Sequence, residues 1–111
     1  MGDARGLSQA VVYAVLVDVP WTGSQRAWAL HAARFDQLLA GHVAPPVRSA
    51  RVAAEVRRGR AALRIRVEVD VAAGDLGEAV ALAWIIVADA AGDSGGWDLD
   101  AAAVTARPAR A

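Results

Sequence analysis

Residues with the chemistry of a binding site gather at the ends of the chain's apolar runs. Asp18 and Trp21 close the first run, Trp97, Asp98 and Asp100 open the last, and Arg57, Arg58, Arg60 and Arg64 crowd the turn between two alternating segments. Carboxylates are hard oxygen ligands, and an arginine fork holds a carboxylate or phosphate in bidentate fashion, so this group has the makings of a small-ligand or metal site. Its spacing matches no metal-binding loop. The same residue types serve as solvated loop charge, with Trp21 and Trp97 plugging the end of a core. His31 and His42 are the two histidines, the residue type suited to general acid or base work. One at a helix edge and one just past a helix C-terminus more often satisfy local hydrogen bonds or the helix dipole.

Several chemistries are excluded outright. The chain has no cysteine, which removes disulfides, thiolate nucleophiles, zinc ribbons and iron–sulfur clusters. Ser8, Ser24, Ser49 and Ser94 stand outside any nucleophile-elbow motif, so covalent catalysis has no candidate. The glycine-rich stretch Gly92 to Gly96 follows a helical pattern and precedes a strand, the reverse of a phosphate cradle, and no lysine exists to complete one. No residue is expected to be catalytic or to ligate a metal, and no cofactor is expected.

The elements that must position these residues follow from periodicity. Val11 to Val19 is β-branched and apolar on both faces of a two-residue period, the mark of a central strand. Thr22 to Ser24 offers acceptors for a helix start, and Trp28, Ala32, Phe35 and Leu39 recur at helical spacing, predicting a helix over 24–40. Ala50, Val52, Ala54 and Val56 alternate with polar residues, as do Leu63, Ile65, Val67, Val69 and Val71, with Arg58 and Gly59 turning an antiparallel hairpin between them. Arg51, Glu55 and Arg57 then pair with Arg64, Arg66, Glu68 and Asp70. Asp75 and Glu78 form a capping box for a helix over 76–91, with Leu76, Val80, Ala83, Trp84 and Val87 inward and Leu82 and Ile85 on the far side. Trp97 to Thr105 reads as a last strand, with Ala102 and Val104 on the face opposite Trp97.

At 111 residues the chain supports one core. The reading divides it into a flexible N-terminal segment 1–10, one domain over 11–107 and a tail 108–111. The order β-α-β-β-α-β, with right-handed crossovers, predicts an α+β ferredoxin-like sandwich: a four-stranded antiparallel sheet in order 4-1-3-2 with both helices on one face. This topology resembles several ferredoxin-like families and also half of a dimeric α/β barrel, in which two such sheets pack face to face. The resemblance runs from Val11 to Thr105 and is one of element order. Metal-carrying members use a Cys-x-x-Cys loop, and acylphosphatases and heme-degrading barrels use an asparagine. This chain has neither cysteine nor asparagine, so those activities do not carry over.

Composition narrows the partners. Twelve basic and 12 acidic side chains give zero net charge; all the basic ones are arginine, and 28 residues are alanine, the usage of a GC-rich bacterial genome. With 56% hydrophobic and 22% charged residues the chain should fold around a packed core. The N-terminus lacks an apolar signal region, and the longest apolar helical stretch is roughly half of the ~20 residues a bilayer needs, so the expected location is cytoplasmic. The sheet's open face should carry Val12, Ala14, Leu16, Ala102 and Val104 beside Arg51, Arg64 and Arg66. The leading expectation is a non-catalytic domain acting through self-association or partner binding, as a homodimer joined by that face or by Leu82 and Ile85. A second is a small-ligand-binding protein or enzyme of dimeric-barrel type, with a pocket lined by Tyr13, Trp28, Phe35 and Trp84. A third is a nucleic-acid module using Arg51, Arg64 and Arg66, which Glu55, Glu68 and Asp70 on the same face oppose.

Overall fold

Strand β1, Val11–Pro20, carries the most β-branched run of the chain and sits in the sheet interior, paired on both sides. The computed structural model describes residues 11–58 and 62–109. After β1 come helix α1 (Trp28–Gly41), the hairpin strands β2 (Val47–Arg58) and β3 (Ala62–Ala73), helix α2 (Leu76–Ser94), a 3-10 turn (Leu99–Ala101) and strand β4 (Ala103–Pro108). They build an α+β architecture: one antiparallel sheet in order β2-β3-β1-β4, which from the other edge is β4-β1-β3-β2, and two helices. The helices pack on each other, α1 also on β2 and α2 also on β3, β1 and β4. Val15, Val17, Ile65, Val67, Val69 and Val71 are fully buried beneath them with Phe35, Leu39 and Val87. Small residues Ala79, Ala83 and Ala90 let α2 approach the sheet closely. No described helix is long and apolar enough to cross a membrane.

The element boundaries depart from the sequence reading in ways that have local causes. Helix α1 begins at Trp28, not at 24. The Ser24 carbonyl that would accept from Trp28 in a longer helix instead accepts from the Ala27 amide at 3.2 Å and from the Trp21 indole at 2.9 Å. Helix α2 continues through Gly92 to Ser94 and stops at Gly95, whose φ of 78° ends it. Within α2, Leu82 is half-buried against the core where it was expected to project, and Leu76, expected to pack, is 44% exposed; Ile85 is exposed as expected. The buried stripe through Ala79, Ala83, Ile86 and Ala90 sets that rotation.

Two breaks in alternation matter more. Residues 97–105 are not one strand: Trp97 makes an isolated bridge to Trp21, and Asp98 caps the 3-10 turn by accepting from the Ala101 amide at 3.2 Å. That turn resets the phase, so Ala102 and Val104 pack against the core with Ala106, and not on the open face. Ala103, Thr105 and Arg107 lie opposite Asp18, Leu16 and Ala14 and take the open side. In β2, irregularities at Arg48 and Ala53 bring Ala54 and Val56 opposite Arg66 and Arg64 and Glu55 opposite Ile65, one position off the simple alternation. Asp36 of α1 accepts the Val52 amide beside the second irregularity at 2.9 Å. Strand β4 runs through Pro108, and Ala109 still bonds Val12 at 2.8 Å, while the predicted segment 1–10, the Gly59 turn and the last two residues lie outside the described residues.

Candidate functional site

The predicted end cluster is divided between two jobs. Trp21 and Trp97 do meet, with ring centroids 4.7 Å apart, but they meet as part of the core. Trp28 lies 5.8 Å and Phe35 5.0 Å from Trp97 in edge-on contacts, an aromatic group that α1 lowers onto the end of the sheet. The indole nitrogens are satisfied locally, Trp21 by the Ser24 carbonyl and Trp97 by Ser94 Oγ at 3.1 Å. Trp28 and Phe35 are buried in the core, and Tyr13 and Trp84 are partly buried against it.

The charged members go elsewhere. Asp18 faces Arg66 across β1 and β3, with Nε to Oδ1 at 3.0 Å and Nη2 to Oδ2 at 3.4 Å, a fork-to-carboxylate pair. Hydrogen bonds to the Asp18 carboxylate, then that group's negative charge, raise the Arg66 guanidinium pKa above its ordinary value, against a smaller opposing effect of desolvation. Asp98 is spent on its cap and Asp100 is exposed. Arg64 is half-buried opposite Pro20 with no ion pair among the described residues, and Arg60 lies outside them. No group of three histidines, cysteines or carboxylates among the described residues is placed to hold a metal.

What the fold does assemble is the face of the sheet that carries no helix. Its middle is an apolar strip of Val12, Ala14 and Leu16 on β1, edged by Thr105 and Arg107 on β4, and Ala14, Leu16, Thr105 and Arg107 border a shallow hollow of about 60 Å³. On β3 the same face reads Arg64, Arg66, Glu68, Asp70. Arg66 is held by Asp18, Arg51 of β2 is paired with Glu68, and Ser49 donates to Asp70 Oδ2 at 3.2 Å. Asp70 Oδ1 is buried without a donor. Thr105 and Arg107 were missed in the sequence because the 3-10 turn that shifts their face has only Asp98 as its signal.

Larger hollows lie elsewhere. Leu30, His31, Arg34, Gln37, Asp93 and Ser94 border an open groove of about 360 Å³ between α1 and the end of α2. There the His31 ring rests 4.9 Å from Trp21, and its Nδ1 is buried without a partner, not satisfied as the sequence reading expected. At the opposite end of the sheet, Val43 to Arg48 and Ala72 border a shallow surface of about 460 Å³. His42 follows α1 and bonds Leu39 through its backbone at 3.0 Å. The chain matches no protein-family model, no curated protein and no solved structure.

Proposed function

We propose that this chain is a non-catalytic domain of ferredoxin-like topology that works by self-association through its open sheet face. The carrying observation is the strip Val12, Ala14 and Leu16, left without a helix over it while both helices are committed to the other face. The strand order β4-β1-β3-β2 and the packing of both helices together support the fold assignment. The four strands, 6 to 12 residues long, give a face of roughly 600 Å² in projection, the same order as the ~800 Å² per partner of a stable interface. Nucleic-acid binding is weakened by the same geometry, because Arg51 and Arg66 are already engaged by Glu68 and Asp18.

Light scattering on purified protein tests this. The expected mass is twice the 11.5 kDa of the chain at tens of micromolar, and the Leu16→Glu variant should fall to the monomer mass with its circular dichroism unchanged. A wild-type monomer at high concentration, or a dimer indifferent to Leu16→Glu, overturns the proposal. Small-molecule binding is the second reading, favoured by the unpartnered Nδ1 of His31 in its groove. Ligand-induced shifts of the His31 imidazole resonances in a small-molecule screen would support it, and their absence across the screen would count against it.

A further inference from the structure

The open-face residues of β3 are self-complementary, and the geometry points to a two-fold dimer in which β3 lies antiparallel over β3 of a second copy, with the axis at Val67. This inference rests on the self-association reading and specifies its register. Along β3 the face runs Arg64, Arg66, Glu68, Asp70, two cations followed by two anions. A two-fold axis lying between the sheets and perpendicular to the strands sets each strand over its own copy in reverse, an isologous contact. Centred on Val67, that operation places Arg64 opposite Asp70 of the second copy and Arg66 opposite its Glu68. Moving the axis two residues toward Asp70, to Val69, sets Glu68 against Asp70, a like-charge contact that disfavours that register.

Arg66 and Glu68 have ion-pair partners within the chain, whereas among the described residues Arg64 has no ion pair and Asp70 accepts at Oδ2 only from the neutral Ser49 hydroxyl. These two lie the same number of residues from Val67 on opposite sides, so opposite charges face each other at both symmetry-related contacts when two copies meet. Val17 pairs with Val67, so the axis crosses β1 between Leu16 and Asp18 and sets Leu16 over Asp18, and Ala14 over Pro20, of the second copy. The two Leu16 side chains then come within about 7 Å along the strand direction, while the two Val12 positions are about 33 Å apart along it.

The test is charge reversal, read by analytical ultracentrifugation. R64D and D70R each set like charges together at both symmetry-related contacts and should raise the dimer dissociation constant by ~10- to 100-fold, and R64D/D70R should restore it to within ~3-fold. The cysteine-free background permits an independent check that needs no charge change. With a short bismaleimide, the Leu16→Cys variant should cross-link into dimers and the Val12→Cys variant should not. Single reversals that leave the dimer unchanged, a double reversal that does not restore it, or equal cross-linking at both positions each overturn this register while leaving self-association standing. A wild-type protein that stays monomeric overturns both.

Discussion

The Trp21 indole is clasped between two glycines, and Gly96→Ala should break the clasp. A Cβ at Gly96 would fall 2.4 Å from Trp21 Cζ3 and 2.7 Å from Cη2, and one at Gly23 would fall 2.3 Å from Cζ2. The ring cannot retreat: it is 8% exposed, and Trp97 and Trp28 hold it at 4.7 and 6.1 Å. Nor can the segment bearing Gly96 move off, since the Thr22 amide donates to the Gly96 carbonyl and the Asp98 amide to the Pro20 carbonyl, both at 2.9 Å. Gly96 also has φ of 85°, where an L-alanine costs about 1 kcal/mol or more. Overpacking a buried ring adds about 1–3 kcal/mol, so the substitution should destabilise by about 2–4 kcal/mol. At this chain length that lowers Tm by roughly 8–16 °C. Urea and thermal unfolding measure it, with Gly92→Ala as the control. That glycine is inside α2, a Cβ on it would meet nothing within 4 Å, and the substitution should gain about 0.5–1 kcal/mol. Adding Trp21→Phe removes the ring atoms in conflict, so the double variant should be more stable than the sum of the single effects predicts. A Gly96→Ala variant within about 0.5 kcal/mol of wild type, or strict additivity with Trp21→Phe, would show that the indole is not clasped there.

Two other substitutions test how the sheet and its helices are held. Asp75→Ala removes the side chain that accepts from the Glu78 amide at 2.8 Å at the start of α2 and should cost about 1 kcal/mol in urea unfolding; Asp75→Asn should recover most of it. Phe35→Ala empties a fully buried site against Trp97 and should cost about 3–5 kcal/mol, with a change in near-ultraviolet dichroism as Trp97 loses its edge-on neighbour.

The sequence was readable wherever one period governed a whole element. Val15, Val17 and Val19, and Ile65, Val67 and Val69, needed only alternation to be placed on the core face, where the two strands pair. The capping box at Asp75 was equally legible, since its donors and acceptors are local: Asp75 takes the Glu78 amide and Glu78 takes the Gly74 amide at 2.7 Å. What escaped were the points where the period slips. A register slip in a strand exchanges its two faces, and here one slip comes from the turn capped by Asp98 and another from the irregularity at Ala53. Neither carries a glycine or proline to announce it. The candidate site escaped for a related reason. Asp18, Trp21, Trp97 and Asp98 are close in the topology, but closeness does not decide which face a residue takes. Trp21 and Trp97 turn inward to a core that needs their area, whereas Asp18, two residues along the strand from Leu16, shares the open face with Arg66. The same alternation that dissolves the end cluster lines up Arg64, Arg66, Glu68 and Asp70 on that face, so the charge pattern with most to say about a partner lay within a single strand.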